Sequence, residues 1–171
     1  PLLSILLAGL RWLGIALMSE NPLKSSGAWI LTLDDTLHAA VGERELIHLI
    51  ETPVLLEVPL SPSYCRQVLV WNQILLPAMD LAAWLHQGQP VQRGRTLAGI
   101  FAYQTKPRAE PAYGALLLAG IPDRAHVTDN DACALPKQPV SWRTLAISCF
   151  KRGQNPIPIL DLRVVFTDGL F

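Results

Sequence analysis

The 171-residue chain is half apolar, only 16% charged, and balances fourteen Lys plus Arg against fourteen Asp plus Glu. Zero net charge excludes bulk electrostatic attraction to nucleic acid or anionic lipid, and the apolar fraction excludes disorder. A chain of this length buries roughly 70% of its unfolded surface and needs no disulfide or metal to fold, as one domain or as two small units around a common core.

Pro1–Leu17 is apolar almost throughout, with Arg11 in its middle. It is short for a membrane-spanning helix, a central Arg costs about 2.5–3.5 kcal/mol on insertion scales, and no membrane span is expected. It also lacks the basic start and small-residue cleavage site of a signal peptide. Two readings remain for residues 1–17: sequence upstream of a start at Met18, or an apolar extension that docks as a helix on the domain or a partner.

From residue 18 onward the chain reads as β. Trp29–Leu33 and Thr36–Val41 are β-prone runs separated by Asp34-Asp35, a hairpin signal. Glu43-Arg44-Glu45 reads as a solvated turn. Leu46–Leu49 with Ile50, then Val54–Val58, follow as strands, and Pro59 and Pro62 punctuate a loop. Val68–Leu76 is strand-like with Asn72-Gln73 at its centre, a bulge or a tight turn joining two strands. A short helical pattern occupies residues 80–87, and residues 88–95 form a polar linker. Leu97–Tyr103, Tyr113–Leu118, Leu145–Phe150 and Pro156–Leu160 complete the strands. Short strands at this spacing predict small barrels or a sandwich.

One string recurs: LLPAMDL at 75–81 and PIPILDL at 156–162. In each copy a strand ends at an Asp, Asp80 or Asp161, placed to cap a following helical turn. Gly88 and Gly169 fall where such turns end in a left-handed conformation. Pro77 and Pro158 cannot donate to a ladder, which predicts strand edges or strand ends for both. The repeat divides the chain into a first unit over about residues 28–88 and a second over about 96–171.

At these residues the chain resembles the CheW-like chemotaxis coupling proteins. Val58-Pro-Leu-Ser-Pro-Ser-Tyr64 and Val68–Leu81, VLVWNQILLPAMDL, follow that family's central signature. Tyr113–Leu118, Ala134-Leu-Pro136, Lys151-Arg152-Gly153 and Ile157–Leu162 resemble its later motifs in order. The resemblance runs from about Trp29 to Phe166. It implies a mainly-β fold of two small five-stranded β-barrel subdomains sharing a hydrophobic core, with short helices after the Asp-Leu motifs. It further implies an adaptor rather than an enzyme, with no cofactor. The implied partners are the regulatory domain of a CheA-type histidine kinase and the cytoplasmic tip of a chemoreceptor, met in the cytoplasm at membrane-associated receptor arrays.

Two of the departures, at Asn72 and His48, fall on the surface through which the resemblance implies receptor contact. The family's Arg-Gly is Asn72-Gln73 here, a family glycine is Gln67, and the glutamate of its receptor-facing strand is His48. A short amide does not replace a bidentate cation toward a carboxylate. The chain therefore reads either as a coupling protein with altered receptor contact or as a divergent scaffold of a pilus-motility system. Trp71 is either an apolar anchor for a partner or a barrel-face residue. The partner-binding candidates are His48, Gln67, Trp71, Asn72 and Gln73.

The catalytic alternative is weaker. Cys65, Cys133 and Cys149 form no CxxC pair, which fits a reducing compartment. His38, His48, His86 and His126 form no metal motif, so no metal is expected. A hydrolase built on a distributed Cys65–His48–Asp80 set would need tertiary structure to assemble it.

Overall fold

A computed structural model describes residues 25–168; the apolar extension over 1–17 and Gly169 lie outside them. The described strands are β1 (Ser26–Thr32), β2 (His38–Gly42), β3 (Leu46–Ile50), β4 (Leu56–Glu57), β5 (Gln67–Trp71), β6 (Ile74–Met79), β7 (Leu97–Tyr103), β8 (Ala112–Leu118), β9 (Asp123–Val127), β10 (Ala146–Arg152) and β11 (Asn155–Leu160). Two short helices, α1 (Leu81–Leu85) and α2 (Trp142–Leu145), follow β6 and precede β10. Among these residues no helix is long and apolar enough to cross a membrane.

The strands form two curled sheets, one in the order β10-β11-β2-β1-β9 and one in the order β3-β7-β8-β6-β5-β4. The mainly-β, two-subdomain architecture is as expected, with the two-residue β4 adding a sixth strand to the second sheet. The expected division into residues 28–88 and 96–171 is not how the strands are distributed. The chain starts in the first sheet, builds the whole second sheet with β3–β8, and returns with β9–β11. The reason lies in the edges: the β1–β2 hairpin has two open sides, which β9 and β11 cover. An uncovered edge would leave rows of unpaired N–H and C=O groups.

The repeat is nevertheless structural. β6 and β11 each pair antiparallel with the preceding strand and parallel with a distant one, through Ala78↔Ala115 and Ile159↔Ala40. Pro77 and Pro158 lie inside these strands rather than at sheet edges. Each sits one residue before the parallel contact begins, where a ladder partner stands on one side only. Both strands then end at the expected Asp. Asp80 Oδ1 accepts from Ala83 N at 3.0 Å, and Asp161 Oδ1 accepts from Arg163 N at 3.0 Å and Val164 N at 3.3 Å. Gln87 and Gly88 close α1 with φ of 58° and 80°.

Three apolar clusters fill the molecule. One lies inside the first sheet (Ile30, Ala40, Phe150, Ile157) and one inside the second (Leu69, Leu76, Ala98, Ile100, Ala115, Leu117). The largest lies between them and draws on both, from Leu31 and Val41 to Met79, Phe101, Leu116 and Leu160, with Trp142 and Leu145 of α2. Adjacent residues of one strand point to opposite faces. Ile30 therefore enters the first sheet's core while Leu31 enters the shared one, and Leu117 and Leu118 divide in the same way between the second sheet and the shared core. Strands buried on both faces read as continuous apolar runs, the pattern of Leu97–Tyr103 and Tyr113–Leu118. At the rim of the shared core Phe166 stacks on Tyr103 with ring centroids 5.1 Å apart, and its ring occupies the space a side chain on Gly114 would need.

Three elements differ from the sequence reading. β9, DRAHV, has no apolar run; among the described residues it is an edge strand bonded to β1 alone. The Val54–Val58 run contributes only Leu56–Glu57, since its sole partner there is β5. Leu145 ends α2 instead of opening β10, and is fully buried in the shared core.

A bidentate ion pair lies where the sheets meet. Arg93 of the polar linker grips Asp80, Nη1 to Oδ2 at 2.7 Å and Nη2 to Oδ1 at 2.5 Å, while its Nε donates to the Leu33 carbonyl at 2.8 Å. The side chains are 6% and 15% exposed. Removing one member of a buried pair costs about 3–5 kcal/mol, so Arg93→Ala should lower unfolding free energy by about that much in denaturant titration. Asp161→Ala, which removes the cap and a loose, exposed contact with Arg163, should cost about 1 kcal/mol; an unchanged midpoint would show that this cap contributes nothing.

Candidate functional site

The predicted contact residues cluster in part. β5 and β6 form a hairpin in which Trp71 pairs with Ile74, and Asn72-Gln73 are the whole turn. Their φ angles are 46° and 65°, the left-handed geometry of a two-residue hairpin turn that matches strand twist. Asn accepts it readily; Gln carries more steric cost. The tight-turn reading of these residues is therefore the correct one of the two offered.

Trp71 is half-buried beside Tyr113, ring centroids 5.2 Å apart at 54°, and packs on the second sheet's core. That is the barrel-face placement. Gln67, at the opposite end of β5, shares the inward parity of Leu69 and Trp71 and is half-buried. His48 is exposed on β3, opposite Ile100 of β7, at the far end of the strand order from β5. Trp71, Asn72 and Gln73 thus stand together, whereas three strands separate His48 from them in the ladder.

The other face of the hairpin carries a feature absent from the candidate residues. Leu56, Val68 and Pro77 are cross-strand partners, and Val70 and Leu75 form the next row. Partners in register point to one face, so these five residues form an apolar strip across β4, β5 and β6. Leu56, Val70 and Leu75 are 52%, 60% and 61% exposed. Leu60, just beyond β4, is fully exposed and holds a φ of 62°. A strained backbone at an exposed apolar residue is a cost that points to a role outside folding. The signal was present in the sequence: VLV and ILLP place apolar residues on both parities of a strand pair that has only one buried face.

Where the two sheets meet, the polar groups are mutually satisfied. Asp34 is 5% exposed. Its Oδ1 accepts from Thr36 N and Leu37 N, both at 2.7 Å, and from the Thr36 hydroxyl at 3.0 Å. Its Oδ2 lies 2.7 Å from His86 Nε2. Burial raises the carboxyl, but the bonds from Thr36, His86 and Leu37 outweigh it and hold Asp34 below its ordinary value. An ionised carboxylate only accepts, so Nε2 of His86 carries the proton.

The Cys65–His48–Asp80 set is not assembled. Both Asp80 oxygens are engaged by Arg93, and burial pushes the Cys65 thiol up, away from the thiolate a nucleophile requires. The expected solvated turn at 43–45 is also only partly so. Glu45 is half-buried and accepts from Gly42 N at 2.6 Å, and burial raises its carboxyl, with Asp161 adding to the effect. A cavity of about 440 Å³ opens on the first sheet, between Ile30, His38, Arg152 and Ile157 and the loop bearing Pro136 and Trp142. None of the cysteines lines it.

The architecture is two curled sheets around one shared core, with an apolar strip facing outward. Among solved structures the chain is similar to the scaffolding protein TtCheW from Thermoanaerobacter tengcongensis, with a TM-score of 0.68 over 88% of this chain and 93% of that one, at 10% sequence identity. The fold is therefore CheW-like, as the motif resemblance implied. No family model matches the chain, and no curated protein sequence matches it.

The Asp34 site has a pH signature. A carboxyl with a lowered folded pKa contributes stability above its unfolded value and loses it as pH falls through the folded one. The Asp34 contribution to unfolding free energy should hence be full at pH 5 and decline as pH drops below the ordinary 3.8. Asp34→Asn should show a shallower decline in parallel denaturant titrations.

Proposed function

We propose that this chain is a non-enzymatic adaptor that couples chemoreceptors to a CheA-type histidine kinase in chemosensory signalling. It acts in the cytoplasm, at receptor arrays. The reading rests on the likeness to a scaffolding protein over nearly the whole of both chains. The apolar strip supports it. Val70, Leu75, Leu56 and the strained Leu60 present apolar surface on a sheet whose outer edge, the two-residue β4, has no further strand beside it among the described residues. The regulatory domain of the kinase docks there, by burying this strip and extending the edge.

Receptor contact differs from the family's usual mode. The turn residues Asn72 and Gln73 are exposed at the hairpin tip, where the resemblance calls for Arg-Gly, and the family's glutamate is an exposed His48. Neither turn residue offers a receptor carboxylate a guanidinium. This favours a divergent scaffold, such as one serving pilus-based motility, as the specific setting.

Calorimetric titration of the kinase regulatory domain from the same genome into the full chain tests the proposal. Binding at tens of micromolar or tighter is expected. Val70→Asp with Leu75→Lys, an opposed pair of exposed positions given complementary charges, should weaken it by about tenfold or more with little change in melting temperature. Absence of binding to both the regulatory domain and receptor fragments would remove the coupling role.

A further inference from the structure

Cys133 and Cys149 stand apart from everything above. The segment after β9 runs antiparallel to β10, with Ala132 bridged to Phe150. That register sets Cys133 directly opposite Cys149, and the N–H of Cys133 donates to the Cys149 carbonyl at 3.0 Å. Hydrogen-bonded antiparallel partners have Cα atoms about 5.5 Å apart, inside the roughly 4.4–6.8 Å span of a disulfide. The side chains also face each other, with Sγ atoms 3.2 Å apart, while both remain free thiols. We propose that Cys133 and Cys149 form a reversible dithiol–disulfide site that a low-molecular-weight disulfide oxidises by thiol exchange.

The roles of the two sulfurs are unequal. Cys149 is 3% exposed, and burial, then its contact with Cys133, push its thiol up to about 12. Cys133 is half-buried and is the sulfur that an outside disulfide reaches. Its thiolate attacks one sulfur of the reagent and releases the first small thiol, leaving a mixed disulfide on Cys133. Cys149 then loses its proton to solvent and attacks the Cys133 sulfur, and the second small thiol leaves and takes up a proton. Two protein thiols and one small disulfide become one protein disulfide and two small thiols. The buried partner is a poor entry point yet already in place for the second step. The sequence hid the pair because residues 134–148 separate it, and only the pairing with β10 closes that distance.

The bond would staple the loop that includes Pro136 and Trp142, one wall of the cavity on the first sheet. Cross-linking a loop restricts the unfolded chain, so the oxidised protein should melt several degrees above the reduced one.

Oxidised glutathione, followed by denaturation, alkylation and peptide mass spectrometry on the full chain, tests this. The reduced protein should take three alkyl groups and the oxidised one a single group, on Cys65. Cys149→Ser should stop at a glutathione adduct on Cys133, and Cys65→Ser should still form the bond. Dithiothreitol should restore the thiols. Three alkylatable thiols after oxidation, a bond to Cys65, or a disulfide-linked dimer would each overturn the proposal. So would an oxidised Cys65→Ser protein that melts no higher than its reduced form.

Discussion

The shared core constrains everything else in this structure. Strands β1, β2, β7 and β8 have no solvent face at their centres: alternate residues enter the core of their own sheet and the core between the sheets. A register slip of one residue would exchange Ile30 with Leu31, or Leu117 with Leu118, between two cores of different shape. It would also bring Gly114 out of line with the ring of Phe166 that lies against it. Neither sheet can be completed alone, because half of the apolar surface of its central strands is covered only by the other sheet. This explains how a chain with so little charge stays compact around two small units, each marginal in size.

The polar junction follows from that constraint. Where two sheets meet, strand ends bring backbone groups and carboxylates into a region with little water. Arg93 meets this with one side chain, holding Asp80 from the second sheet and the Leu33 carbonyl from the first. Asp34 and His86 repeat the arrangement nearby, from the β1–β2 turn to the end of α1. A planar, five-donor guanidinium suits such a site in a way that a lysine would not. No buried side-chain nitrogen or oxygen among the described residues lacks a partner.

With the interior satisfied, the apolar surface left over becomes informative. The strip over β4–β6 is contiguous because the hairpin keeps strict register up to a two-residue turn. An exposed Leu60 in the left-handed region adds a local cost with no interior gain. Surface of this kind on an open sheet edge suits recognition by shape and strand addition, consistent with a chain of zero net charge.

Much of this was legible in the residues. The apolar runs gave the strands, the Pro-x-(Met/Leu)-Asp-Leu repeat located β6 and β11 with their Asp caps, and the order of the motifs pointed to the CheW-like fold. These are local properties: alternation, turn geometry and capping act within a few residues. Tertiary structure alone decided the rest, because it depends on which distant strands share an edge. β9 carries no apolar signal, and among the described residues it is bonded to β1 alone. The two halves of the repeat interleave because β9 and β11 cover the β1–β2 hairpin. Arg93 looks like a linker charge until Asp80 and Leu33 converge on it, and Cys133 meets Cys149 only through the ladder to β10. Sequence by itself determined the apolar strands and the Asp caps; the covering of open edges, a long-range requirement of backbone hydrogen bonding, decided their arrangement and the sites formed between them.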